Sequence, residues 1–154
     1  TCCARLKNPM THNVQIEAGR IGKVVYARMA PNEDLVQGIE KICIAQGLRH
    51  AIVRSGLGSL VDACLDLPSG QRHPVIGPAV EVLSLFGEVR SQADGVAHTL
   101  RAELSGVVVD AAGRVVSGVF VAGANPVFAT FEVTLEEWLP AAAEPCLIFC
   151  LSLS

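Results

Sequence analysis

One stretch of this chain carries the three-to-four-residue apolar period of a helix most clearly. Almost everything else is short β-branched runs cut by Gly, Pro, Asn and Asp. The helical stretch is "PNEDLVQGIEKICIAQGL" (31–48). Leu35, Ile39, Ile42 and Cys43 form its apolar stripe, and Asn32 after Pro31 is the expected N-cap. Glu33 and Asp34 fall in the first turn, Gly38 weakens the middle, and Gly47 marks the end. Strands are expected at 21–30, 79–91, 98–110, 114–123 and 127–139. A strand, a Gly-kinked break and a second strand are expected in 50–67, a Pro- and Gly-rich loop at 68–78, and a turn at 92–95. In 98–110, Leu100, Ala102 and Leu104 face one way, and Thr99, Arg101, Glu103 and Ser105 the other. "AGRVVSGVFVAGANPVFATFEVTL" (112–135) reads as a hairpin through Gly123-Ala124-Asn125-Pro126. One or two helices against six to eight strands, without regular alternation, exclude a doubly wound sheet. The expected class is α+β, a mostly antiparallel sheet with one or two covering helices.

The 154 residues predict one domain. Apolar residues are 51% and charged residues 18%, below the usual quarter, so part of the apolar surface is expected in a subunit interface. The net charge is −3, and nine of the twelve basic residues are scattered arginines, which argues against a broad grip on phosphates. The six cysteines follow no disulfide or zinc spacing. Cys43 and Cys64 read as buried packing, and a reducing compartment is expected. The first residues lack a signal-peptide core and no apolar run is long enough to span a bilayer, so a cytoplasmic protein without membrane contact is expected. Residues 1–19 are expected to be an extension, with Met10 as a second possible start. Residues 20–139 form the domain, and 140–154 form an apolar tail packed on the domain or on a neighbour.

The order of segments carries a resemblance. "EDLVQGIEKICIAQGLRHAIV", "SGLGSLVDACL", "VEVLSLFGEV" and "DAAGRVVSGVFVAGANPVFATFEVTL" follow one another over residues 20–138. Together they resemble the PPC (plants and prokaryotes conserved) domain, which accompanies AT-hooks in plant nuclear proteins and stands alone in bacteria and archaea. The resemblance implies an α+β fold and a homotrimer that uses strand surfaces. It also implies DNA as a candidate partner.

Two features depart from that family. Many prokaryotic members carry three histidines for a metal, two in the strand before the Gly-Arg turn and one in a Gly-Gly-His after it. Here that last position reads Ser117-Gly118-Val119, and the preceding strand offers His98, Arg101 and Glu103. Val119 cannot ligate a metal, so neither a metal nor another cofactor is expected. A site would need His98 to combine with His50, His73 or Glu103. The chain also has no Arg-Gly-Arg arm for the minor groove.

Two clusters remain as ligand-binding candidates. Arg54, Ser55, Gly56 and Gly58 in "RHAIVRSGLGS" suggest an anion pocket of amides and a guanidinium, against the alternative of a kinked strand. Arg101 and Glu103, with His98 beside them, offer a carboxylate clamp and a base, against a cross-strand ion pair. Trp138 is expected to anchor the end of the last strand. The functional expectations are a trimeric module binding DNA in a regulatory role, a small-molecule binder or enzyme with a site at a subunit boundary, or a protein-interaction scaffold.

Overall fold

The computed structural model describes residues 16–94 and 97–141. The expected extension before residue 16 and the apolar tail after residue 141 lie outside the described residues. The elements are β1 (Gly19–Met29), α1 (Leu35–Gln46), β2 (His50–Leu60), β3 (Ala63–Asp66), β4 (Arg72–Val75), β5 (Val80–Asp94), β6 (Ala97–Val109), β7 (Val115–Phe120) and β8 (Val127–Pro140). The strands form one sheet in the order β1-β8-β2-β5-β6-β7-β3-β4. Each neighbouring pair is antiparallel. The antiparallel α+β expectation therefore holds, with a single helix among the described residues.

The inner face is apolar at every second position. Val53, Leu85, Val89, Leu104, Phe131, Val133 and Leu135 are buried there, together with Leu35, Ile39 and Cys43 of the helix. A fully buried side chain of this size contributes about 2 kcal/mol by removal from water. The helix begins later than the sequence suggests. Asn32 has φ 66° and donates its N–H to Val127 O, so it belongs to a turn. Asp34 is the N-cap, and its Oδ1 accepts from Gln37 N at 2.9 Å. Gly47 ends the helix in the left-handed conformation, as expected.

β7 and β8 are not a hairpin. β7 lies between β6 and β3, and β8 between β1 and β2. The linking segment is held by bonds elsewhere in the fold. Pro126 O accepts from Val61 N at 2.8 Å, Asn125 Oδ1 from Cys64 N at 2.8 Å, and Asn125 O from Leu35 N at 3.0 Å. These bonds carry the chain across the domain instead of turning it back.

The break in 50–67 falls at Val61-Asp62, not at the glycines, which lie inside β2. A Cβ on Gly56 would meet Leu85 Cδ2 at 2.6 Å and Phe131 Cε1 at 2.7 Å, so this glycine leaves room for the core ring. The expected loop 68–78 contains β4. Its Pro74 disguised a strand at the sheet edge, where a missing N–H is tolerated.

β6 outruns its neighbour. β7 pairs with it only over Ser105–Val109. Alongside the unpaired half lies α1, and Glu40 Oε1 accepts from Ala102 N at 3.0 Å, so a side chain stands where a strand would be.

Candidate functional site

The outer face of the sheet carries the chemistry, and the register arranges it in rows. One row is polar-to-apolar: Phe86 opposite Ser105, Ser105 opposite Val119, Val119 opposite Asp66, and Asp66 opposite Arg72. One turn of the pleat away runs an acidic row, Glu136–Ile52–Glu88–Glu103. Next to that runs a basic row, His50–Arg90–Arg101. Like charges thus stand directly opposite each other across β5 and β6. That arrangement is unfavourable unless opposite charges meet them along the strand or from outside. Along the strand, Arg90 Nε reaches Glu88 Oε2 at 2.8 Å, and His50 Nε2 lies 3.3 Å from the same oxygen. Partial burial pushes Glu88 up, but Arg90 and His50 outweigh it and hold the carboxylate below its ordinary range. The His50 ring meets Trp138 edge-on at 6.4 Å, and Trp138 Nε1 donates to Glu17 Oε1 at 2.6 Å, which gives Trp138 its anchoring role.

Large apolar side chains interrupt these charges. Tyr26, Leu57 and Phe86 are 63%, 68% and 57% exposed on a face where a lone domain would place polar groups. Tyr26 and Arg28 both hydrogen-bond Glu132 and hold its carboxylate below its ordinary range.

The residues singled out from the sequence fall in separate places. Arg54 is on the outer face with its Nε 3.6 Å from Glu136 Oε1. Ser55 is exposed on the same strand, while Gly56 and Gly58 sit inside β2 with β5 and β8 on either side. Arg101 and Glu103 share the exposed face of β6. Facing them are Arg90 and Glu88, not opposite charges, and among the described residues neither makes an ion pair. Their strand is two strands from Arg54, about 10 Å across the sheet. His98 lies in β6 opposite Ala93. The residues missed were Glu88 and Arg90, and His50 was weighed only as a metal ligand beside His98. The i, i+2 spacing of Glu88 and Arg90 in an alternating strand was the available signal.

A cavity of about 450 Å³ opens where Phe86, Ser105 and Val119 meet the β3–β4 turn. Its polar groups are the Ser105 and Ser117 hydroxyls and the Asp66 carboxylate, which Arg72 Nε engages at 3.1 Å. Two hydroxyls and one ion-paired carboxylate do not make a transition-metal site. Among the described residues no three His, Cys, Asp or Glu side chains converge. No described helix is long and apolar enough to cross a membrane.

The model of the Plants and Prokaryotes Conserved (PCC) domain matches residues 16–139. The chain belongs to this family. Solved structures share the PCC fold, all at identities that speak for fold alone. A plant- and prokaryote-conserved protein from Pyrococcus horikoshii matches with a TM-score of 0.67 and 23% identity, over 81% of this chain and 85% of that one. A metal-containing protein from Archaeoglobus fulgidus matches with a TM-score of 0.68 and 23% identity, over 84% and 89%. A protein from Bacteroides thetaiotaomicron, provisionally described as DNA-binding, matches with a TM-score of 0.63 and 14% identity, over 80% and 84%. A comparison with curated proteins finds no match.

Proposed function

We propose that this PCC-domain protein is a homotrimeric binding module that assembles through the outer face of its sheet. The carrying observation is the exposed set Tyr26, Leu57 and Phe86 beside an acidic and a basic row. A copy laid across this face covers the apolar side chains and sets one copy's basic row against the other's acidic row. Arg101 and Glu103 then gain partners that their own sheet does not supply.

DNA is the second ligand to weigh, and the provisional description of the Bacteroides neighbour favours it. The cations weigh against it. Arg28, Lys41, Arg54, Arg72, Arg90 and Arg114 are already ion-paired with carboxylates of their own chain. A phosphate would have to displace those partners. A small molecule at the subunit boundary is supported by the cavity of about 420 Å³ beside Arg54 and Phe86.

The test is the native mass of the wild type and of Leu57→Arg, with duplex DNA titrated at two salt concentrations. A mass of three chains that falls in the variant supports the reading. A monomeric wild type overturns it. Tight DNA binding that weakens steeply with salt moves the function to nucleic acid.

A further inference from the structure

β7 is paired along nearly its whole length on one side only. On the β6 side its partners run from Val115 to Val119. On the β3 side the pairs are Leu65–Phe120 and Asp66–Val119, and the ladder stops there. Continuing that register sets Pro68 opposite Ser117. Proline has no N–H to give, and the chain turns away through Leu67–Gly70, closed by Gly70 N to Leu67 O at 2.8 Å. Val115–Ser117 therefore have no strand on that side among the described residues. Successive residues of a strand send their N–H and C=O to alternate sides, so at least one of these three turns both groups outward.

The space left beside them is a groove. Two cavities of about 450 and 440 Å³ share Leu67, Pro68 and Ser117, and run from Phe86 and Val119 at one end to His73 and Val115 at the other. The walls are mostly apolar, broken by the hydroxyls of Ser69, Ser105 and Ser117 and by His73 at one end, and the one carboxylate, Asp66, is neutralised by Arg72. Along β7 the groove spans about 13 Å, the length of roughly four extended residues.

We propose that this groove takes an extended, uncharged peptide segment of a partner protein, added as a strand to the open edge of β7. The edge supplies backbone hydrogen bonds. The apolar walls accept alternate side chains, and the hydroxyls of Ser105 and Ser117 face polar ones. A charged segment would find no counter-charge, since the local pair is complete. The inference does not rest on the trimer.

The test uses the full chain, titrated by NMR with the capped peptide acetyl-Val-Thr-Val-Thr-Val-amide. A second peptide, N-methylated at alternate residues, keeps the side chains but blocks one edge. The expected result is saturable binding with a Kd of about 1 mM. Shifts should centre on residues 115–119 and 67–68. The N-methylated peptide should bind about tenfold more weakly. Ser117→Arg, exposed and filling the groove, should abolish the shifts with an unchanged melting temperature, and Leu57→Arg should leave them intact. Three outcomes overturn the proposal. Silence at 115–119 does so directly. Equal binding of both peptides means an apolar small-molecule pocket. A native mass lowered by Ser117→Arg means that a second copy occupies the groove.

Discussion

Asn125 and Asp34 hold each other across the domain. The Asn125 N–H donates to Asp34 Oδ2 at 2.9 Å, while Asp34 Oδ1 caps the helix through Gln37 N. Asn125 is fully buried. Its Oδ1 accepts from Cys64 N at 2.8 Å, and its Nδ2 donates to Val121 O at 2.6 Å. Asn125→Ala strands the half-buried Cys64 N–H and Val121 C=O and is expected to cost about 2 kcal/mol. Asp34→Ala removes a cap and one further bond, and should cost about 2 kcal/mol. Urea denaturation of both variants and of the double variant measures this. The bond between the two residues is donated by the Asn125 backbone N–H, which alanine keeps, so the two variants remove different bonds and the double variant should lose close to the sum.

Gly87 has φ 153°, and a Cβ there would run into the Glu103 carbonyl oxygen on the neighbouring strand. Neither the conformation nor the backbone contact can yield cheaply. Gly87→Ala is expected to destabilise by at least about 2 kcal/mol in a thermal melt. Gly38→Ala should cost much less, because the atom in its way is the end of the flexible Met29 side chain.

These two glycines divide what could be read in the sequence from what could not. A glycine inside the expected strand 79–91 needs a reason, either a bulge or a close backbone approach, and at Gly87 the structure shows the close approach. The alternation of Leu100, Ala102 and Leu104 against Arg101 and Glu103 held, since burial on one face imposes period two. The hairpin through Asn125 failed for an equally physical reason. Its turn residues satisfy Cys64, Leu35 and Val61, which lie far away in sequence. The helix start moved from Asn32 to Asp34, because both residue types cap well and tertiary bonds decide between them: Asn32 N–H is taken by Val127 O, while Asp34 accepts from Asn125. The charged rows stayed hidden. They depend on the register of four strands, and a shift of one residue would dissolve them.

Asp110 carries the acid sensitivity that can be assigned to one group. Its Oδ1 accepts from Ala112 N and Arg114 N, both at 2.9 Å, and Arg114 Nε donates to Oδ2 at 2.6 Å. The bond from the Arg114 backbone, more than any other contact, holds it below the ordinary 3.8. A depressed carboxylate stabilises the fold in full above its unfolded value, and the contribution disappears as pH falls through the folded value. Asp110→Asn should therefore lower the melting temperature at pH 7. The gap to wild type should narrow as the pH falls below the ordinary carboxylate range and through the depressed folded-state value.

Burial pushes the Cys43 thiol up to about 11, with Glu40 adding to the effect. At pH 8 almost none of it is thiolate, and the side chain is fully enclosed. Iodoacetamide should leave Cys43 unmodified in the native protein and label it once urea unfolds the chain. Peptide mass mapping distinguishes the two.

The bond from Glu40 to the Ala102 amide means that the helix and the sheet are joined at that point by a single tooth rather than a zip. Over Ser105–Val109 an amide of β6 that faces β7 is shielded by a whole neighbouring strand, and exchanges with solvent only when the sheet opens. The Ala102 amide is shielded by one carboxylate, and is freed as soon as the helix lifts. Its exchange rate with deuterium is thus a gauge of helix seating, distinct from the gauge of global unfolding a few residues further along the same strand.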